Sequence, residues 1–333
     1  MLAPGMQLPA VVGASAPYQN TADMRTRGWE LSVNWRDQIG KVGYRVGFNL
    51  SDSQSKIVKY NSNESGILTS TLSNGSTFWN YYEGKDLGEI WGYEYDGFYT
   101  VDDFTDTSSW KLKEGVPSID GYNPRPGDVK FKNLMDDDRG TNMISGGDNT
   151  VSNPGDRKVI GNNTPRYLYG ITLGANFKGF DLNVFMQGTG KRDAWIANNL
   201  KFPLYSDFKF IALYKDLGNY WKPVDAANGD YTAANPNAEF PRIYGNYGNQ
   251  GSNYRQSDKY LSDASYFRIK NVTLSYTFPK AWITKASLSQ LKAFVSIENL
   301  ATFSSLPKGI DPETLSWNYP AFRTVSFGLN VTL

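Results

Sequence analysis

Apolar and polar side chains alternate along the last eleven residues of the chain, from Arg323 to Leu333. This period of two predicts a β-strand with one apolar and one polar face. The length also fits the roughly nine to eleven residues with which a tilted strand crosses a bilayer. The apolar positions are Val325, Phe327, Leu329, Val331 and Leu333.

Six earlier stretches repeat this alternation, so the sequence predicts seven strands joined as antiparallel hairpins. In the fifth stretch Phe267 and Ile269 fall on the opposite parity from Val272, which predicts a β-bulge near Lys270. The strands are predicted near residues 27–37, 41–52, 165–177, 180–190, 263–278, 289–300 and 321–333.

The connections between these strands alternate between short turns and long segments. The long segments cover residues 52–164, 189–262 and 301–320, approximately. In an up-and-down sheet this order places the short turns at one rim and the long loops at the other, as in outer-membrane barrels. We therefore expect residues 1–26 to be an extracellular loop and residues 27–333 to be part of a barrel wall.

The predicted fold class is thus all-β, an antiparallel up-and-down transmembrane β-barrel. Seven strands are fewer than the eight or so of the smallest barrels, and two open edges are not tolerated in a bilayer. We therefore expect a C-terminal fragment of a longer barrel. Aromatic residues near the short turns fit an interfacial girdle, although strands favour aromatic residues in any case. They are Trp35, Tyr44, Phe177, Phe180, Phe278 and Trp282.

Composition removes several functional classes. The 333 residues include no cysteine and no histidine, so disulfides, thiolate chemistry and the commonest general base and zinc ligand are excluded. A net charge of +1 gives no reason to expect nucleic acid as a partner. No motif for nucleotide binding occurs, so the sequence predicts neither an enzyme nor a cofactor.

Short motifs follow one another through nearly the whole chain. They are Val12–Asn20 with Thr26–Leu31, Gly127–Lys132 with Asp156–Gly161, Thr164–Gly170, Phe180–Gly188, Tyr266–Pro279, and Glu298–Leu300 with Gly309–Glu313. In their order these motifs resemble the C-terminal third of the SusC/RagA-type TonB-dependent outer-membrane transporters of Bacteroidota.

The resemblance implies a function and partners. Members of that family resemble plugged barrels of about 22 strands that import nutrients such as oligosaccharides or peptides. It implies location in the outer membrane, contact with the lipid bilayer, a SusD-like lipoprotein as a lid, and the TonB complex as the energy source. The N-terminal plug and the TonB box are expected to lie outside this chain.

Aromatic residues in the long loops are the candidate ligand contacts, because a flat ring with polar edges suits a carbohydrate. The alternative is that they pack the loops against each other or against a lid protein. The candidates are Trp79, Tyr81, Tyr82 and Trp195.

The stretch after Lys132 is similar to an acidic, calcium-loop-like motif of the family. Asn133 replaces its first Asp, Met135 removes the third-position ligand, and Asp138 replaces the glycine of the sharp turn. Of the acidic ligand positions in that motif, only the one at Asp137 is kept in this sequence. A solvated acidic loop therefore fits the sequence better than a metal site.

A secreted soluble β-sandwich that binds glycans is the alternative to the transporter. A sandwich would bury the apolar strand faces beneath a second sheet, whereas a barrel wall would leave them exposed. Exposure of these faces therefore discriminates between the two hypotheses.

Overall fold

Seven long strands form one antiparallel sheet in the computed structural model, and each strand pairs with its neighbours in the sequence. The structure describes residues 2–4, 18–20, 22–71, 77–119, 121–135, 143–197, 201–202, 215–244, 252–284, 287–315 and 321–333. The predicted all-β, up-and-down architecture is confirmed. The strands are β1 (Ala22–Ile39), β2 (Val42–Tyr60), β3 (Arg166–Phe177), β4 (Phe180–Lys191), β5 (Tyr266–Thr277), β6 (Gln290–Ser304) and β7 (Thr324–Thr332).

Shorter strands pair in twos between these seven. A four-residue helix, Lys280–Ile283, lies between β5 and β6, and the described part of the chain holds no helix long and apolar enough to span a membrane. The short pairs are Leu2–Pro4 with Tyr18–Asn20, Thr69–Thr71 with Thr77–Trp79, Glu89–Tyr93 with Arg157–Asn162, Tyr95–Phe98 with Val129–Phe131, Ser118–Ile119 with Met143–Ile144, Asp193–Ala194 with Ser262–Asp263, and Pro223–Asp225 with Asp230–Ala233.

Several strands extend beyond their predicted ends. β1 begins at Ala22, inside the stretch 1–26 that was expected to be a loop, and β2 continues to Tyr60 rather than ending near 52. The end of β2, Ser51–Lys56, is polar on both faces. Because strands pair through backbone groups, pairing continues where the apolar alternation that marks a strand in the sequence has stopped.

The predicted bulge at Lys270 is confirmed. Val184 of β4 pairs with Val272, but Met186 pairs with Ile269, so the register shifts by one residue at Lys270. The β5–β6 pairing shifts at the same place. The extra residue returns Phe267 and Ile269 to the face that carries Val272.

One face of the sheet is apolar and exposed. Trp35 is 59% exposed, Phe327 80% and Leu329 67%. In a sandwich these side chains would be buried under a second sheet. The β-sandwich alternative is therefore wrong for the part of the chain that the structure describes.

The opposite face carries long polar side chains over small residues. Gly174 pairs with Arg45 of β2 on one side and with Asn183 of β4 on the other. The Arg45 guanidinium donates to the Asn183 side-chain oxygen across it. A Cβ on Gly174 would lie 2.5 Å from Arg45 Nε, so the absence of a side chain makes room for the arginine.

A buried ion cluster holds the segment between β6 and β7 to the sheet. Arg268 of β5 is 2% exposed, and its Nη2 lies 2.9 Å from Asp311 Oδ2 while its Nη1 lies 3.0 Å from Glu313 Oε2. Lys270 Nζ lies 3.1 Å from the same Glu313 oxygen, and Gln187 Nε2 donates to Glu313 Oε1 at 2.8 Å. Asp311 and Glu313 therefore act as structural partners of strand cations.

The chain forms two compact units. A sheet unit comprises Thr26–Gln54, Thr164–Ala194 and Ser262–Leu333, and a loop unit comprises Met1–Arg25, Ser55–Asn163 and Trp195–Leu261. Within the loop unit the two long connections pack on each other. A Cβ on Gly127, which has φ +90°, would lie 2.3 Å from Trp221 Cδ2, and Arg242 N donates to Gly127 O at 2.9 Å.

Replacing Gly127 with alanine is expected to destabilise the loop unit more than replacing Gly97. Both glycines have a similar positive φ, +90° and +94°, so the backbone penalty is shared. Only Gly127 has a neighbouring ring, and nothing lies within 4 Å of a Cβ at Gly97. The overpacking should cost about 1–3 kcal/mol more in Gly127→Ala, measured by thermal unfolding of the intact protein. Equal losses in the two variants would contradict the role of Trp221.

Arg268→Ala is expected to lower the free energy of unfolding by about 3–5 kcal/mol, because it leaves the Asp311 carboxylate buried without its cation. The matched control is Lys56→Ala, whose ammonium lies 4.0 Å from Asp86 with both side chains about half exposed. That exposed pair should contribute no more than about 1 kcal/mol. Urea unfolding of the intact protein measures both, and similar small losses would contradict a buried ion cluster.

Candidate functional site

Aromatic side chains line the short-turn end of the exposed apolar face. Trp35 Nε1 lies 3.4 Å from the Tyr44 hydroxyl across the β1–β2 turn. On the neighbouring hairpin Phe177 pairs with Phe180, whose ring centroid lies 4.6 Å from that of Tyr276. Phe278 and Trp282 continue the row, and Trp282 is 65% exposed. We call these residues the turn-side row.

A second aromatic row lies at the other end of the same face, and the sequence analysis did not identify it. Tyr169 pairs with Gly188, Gly188 with Phe267, and Phe267 with Phe303. The ring centroids of Tyr169 and Phe267 are 6.4 Å apart, and those of Phe267 and Phe303 are 6.0 Å apart. We call Tyr169, Phe267 and Phe303 the loop-side row. The sequence indicates this row only through Tyr169, which lies eight positions before Phe177 and therefore on the same face of the strand.

The two rows bound an apolar band of the height of a membrane core. The eight residue steps from Tyr169 to Phe177 span about 26 Å at about 3.3 Å per residue. At a strand tilt of about 40° this corresponds to about 20 Å along the normal, close to the band of about 25 Å in outer-membrane barrels. Leu173, midway on the strand, is exposed. This surface has the geometry of a lipid-facing wall.

Two of the four candidate ligand aromatics pack into the cores of the loop unit. Tyr82 is 5% exposed, its hydroxyl donates to Glu89, and burial raises its pKa. Trp79 packs on the same cluster as Tyr82, and the Arg157 guanidinium carbon lies 5.8 Å from the centre of the Trp79 indole. Their packing role is the one that the sequence analysis left as the alternative.

Of the other two candidates, Trp195 also packs on an aromatic core, whereas Tyr81 is exposed. Trp195 is partly buried, with its ring 5.7 Å from Phe202 and 6.4 Å from Tyr260. Tyr81 is 42% exposed and meets the Tyr60 ring edge-on at 6.4 Å. Of the four predicted residues, Tyr81 therefore presents the most ring surface to a ligand.

A cavity of about 560 Å³ lies in the loop unit beside Tyr60 and Tyr82. Asn63 shapes its wall, because its side-chain nitrogen donates to the carbonyls of Ile67 and Tyr81, both at 2.8 Å. Its size is within the range of small-ligand sites. The polar side chains around it include those of Lys59, Asn61, Glu64, Ser65, Glu83 and Ser152.

Asp128 is a fully buried carboxylate that joins the two long connections. It accepts from Arg125 N at 2.7 Å and from Asn253 Nδ2 at 2.9 Å, and the Tyr244 hydroxyl also donates to it. Burial raises the pKa of Asp128, and it also raises the pKa of Tyr244. The sequence analysis recognised this residue only as part of a motif.

Asp156 is also fully buried and holds the backbone of Leu134 and Met135. Its carboxylate accepts from Leu134 N at 2.6 Å, from Met135 N at 3.1 Å and from Ser145 N at 2.7 Å. The predicted metal ligand Asp137 lies outside the described residues. Within those residues no three acidic side chains are grouped as a metal site.

Both buried carboxylates follow a glycine with positive φ, +90° at Gly127 and +65° at Gly155. The glycine turns the chain so that the aspartate points inward, where it accepts backbone N–H groups that would otherwise be unpaired. The Gly-Asp dipeptide alone does not identify a buried carboxylate, because Asp148 and Asp230 also follow a glycine with positive φ and are exposed.

The chain is similar to receptors of one bacterium, Formosa agariphila, although no protein-family model matches it. It is 28% identical over 345 residues to TonB-dependent receptor P3, a match that covers 97% of this chain and 30% of that receptor. It is 22% identical to TonB-dependent receptor P26, over 98% of this chain and 31% of that receptor. The chain spans about a third of the length of these relatives.

Solved structures give the same result for the fold. The structure of the RagAB peptide transporter matches this chain with a TM-score of 0.64 and 20% sequence identity. The match covers 99% of this chain and 32% of the transporter chain. The RagAB peptide importer in the "closed-closed" state matches with a TM-score of 0.66 and 19% sequence identity. This match covers 98% of this chain and 31% of the importer chain. Over nearly its whole length the chain is thus similar to TonB-dependent receptors, and its fold matches that of about a third of the RagAB transporter.

Proposed function

We propose that this chain forms part of the wall and outer loops of an outer-membrane importer that takes up nutrients with energy from TonB. The observation that carries the proposal is the single-layer sheet whose exposed apolar face ends in an aromatic row on each side. In this proposal the residues from 27 to 333 belong to the barrel, and the long connections are extracellular. The relatives are named as receptors and transporters, which supports import rather than catalysis.

We further propose that the importer takes up an oligosaccharide or a peptide and works with a SusD-like lipoprotein lid. The similarity to a peptide importer supports a peptide as the substrate. The exposed ring of Tyr81, which contacts Tyr60 of a polar cavity, suits a peptide or an oligosaccharide. Contact with the TonB complex would run through the part of the receptor outside this chain.

Cell fractionation tests the location of the full-length receptor. We expect it in the outer-membrane fraction, where it should resist extraction by salt or alkali and dissolve only in detergent. Deletion of TonB should abolish uptake of the nutrient without moving the receptor. Recovery in the soluble secreted fraction would contradict the proposal.

Leu173→Arg should impair assembly of the receptor in the membrane. Leu173 lies midway between the two aromatic rows, where an arginine on the lipid face costs about 2–4 kcal/mol. The control is Thr172→Arg, an exposed neighbour on the polar face of the same strand. Heat-modifiable mobility on gels and the amount in the outer membrane measure assembly. Equal assembly of the two variants would show that Leu173 does not face lipid.

Tyr81→Ala should raise the substrate concentration that gives half-maximal uptake by roughly two- to tenfold, the loss expected for one aromatic contact. Phe78→Ala is the control, because Phe78 is also exposed, at 44%, but pairs with Ser70, whereas the Tyr81 ring contacts Tyr60 of the cavity wall. Uptake of labelled substrate by whole cells at equal receptor abundance is the measurement. An unchanged value for Tyr81→Ala would remove this residue from the ligand site.

A further inference from the structure

A pocket of about 300 Å³ opens on the sheet unit at the level of the loop-side row. The rings of Tyr169, Phe267 and Phe303 form its apolar side. Polar groups of Asp263 and Ser265 line the side away from the apolar band. The pocket therefore lies where the exposed apolar face of the sheet gives way to polar residues.

The register places the rings of this pocket on the apolar face. Phe267 and Phe303 are direct cross-strand partners, and Phe267 pairs with Gly188 on its other side. Phe303 is 59% exposed, so its ring is accessible from outside the sheet. An occupant would thus approach from the same side as the apolar band.

Two glycines of β4 make the space. A Cβ on Gly188 would lie 2.4 Å from the Tyr169 hydroxyl, which instead lies over the glycine 3.2 Å from the Tyr266 carbonyl. Gly190 lines the pocket itself. Gly188 therefore makes room for the Tyr169 ring across the strand, and Gly190 leaves the recess beside it.

Hydrogen bonds fix the polar side of the recess. Ser265 N donates to Asp263 Oδ1 at 2.8 Å, and the Ser305 hydroxyl donates to the Asp263 carbonyl at 2.8 Å. These bonds tie the segment before β5 to the segment after β6. The hydroxyl and carboxylate groups are therefore held above the aromatic rings in a defined arrangement.

The chemistry of the pocket suits a sugar better than a phosphate. Among the described residues that line it, none is lysine or arginine, and the Asp263 carboxylate would repel an anion. A sugar ring can place its C–H face on an aromatic ring and its hydroxyls on serine and carboxylate oxygens. Aromatic residues at a membrane interface already lie at the depth of lipid head groups.

We propose that this pocket binds the saccharide head group of a glycolipid in the outer leaflet. The inference rests on the proposed function, because it requires the apolar band to lie in the outer membrane with the long loops outside. It adds a lipid site on the outer surface of the wall, separate from the route of the imported nutrient.

The test measures lipid retained by the full-length receptor. The receptor is reconstituted with equal amounts of two probes, a neutral diglycosyl diacylglycerol and phosphatidylglycerol, and then stripped stepwise with detergent. Native mass spectrometry should show selective retention of the neutral glycolipid. The double variant Ser265→Ala/Ser305→Ala should retain about tenfold less, as expected for the loss of one or two hydrogen bonds.

Ser296→Ala is the control, because Ser296 hydrogen-bonds to Thr273 on the polar face and is remote from the pocket. Heat-modifiable mobility establishes that each variant is folded. Equal retention by the double variant and the wild type, or equal retention of the two lipids, would overturn the proposal. A receptor that is absent from the outer membrane would instead contradict the proposed function, so the two failures are distinguishable.

Discussion

Backbone hydrogen bonding within a single sheet is the constraint on which the rest of this structure depends. Each strand from β2 to β6 has a strand on both sides, so its N–H and C=O groups are paired without help from solvent. In hydrocarbon an unpaired backbone group costs several kcal/mol, which leaves closed strand networks as the alternative to helices. β1 and β7 are the edge strands of this sheet.

Pairing in one layer leaves both faces of the sheet open to their surroundings, and the side chains differ accordingly. The apolar face is exposed or half-buried between its aromatic rows, whereas the polar face holds ions and amides. The bulge at Lys270 shows how strictly the two faces are kept apart. One inserted residue reverses the parity of the strand, so Phe267 rejoins the apolar face and Arg268 reaches the buried acids on the other.

The long connections are folded structures with cores of their own. Aromatic clusters fill them, and the buried carboxylates of Asp128 and Asp156 accept backbone N–H groups that have no strand partner. A chain with few regular strands must satisfy its buried backbone groups through side chains. This explains why polar connections of about a hundred residues hold fixed positions for Tyr81 and the adjoining cavity.

The sequence by itself determined the seven strands, their faces and the bulge at Lys270, because these follow from local periodicity. The order of its motifs also indicated the similarity to TonB-dependent receptors. It did not reveal the polar end of β2, where pairing continues without an apolar pattern. Only the tertiary structure decided that Tyr82 and Trp79 are packed, that Asp128 joins distant segments, and that Tyr169, Phe267 and Phe303 form one row. Those relations depend on which segments meet in space, and contacts between residues a hundred positions apart leave no period in the sequence.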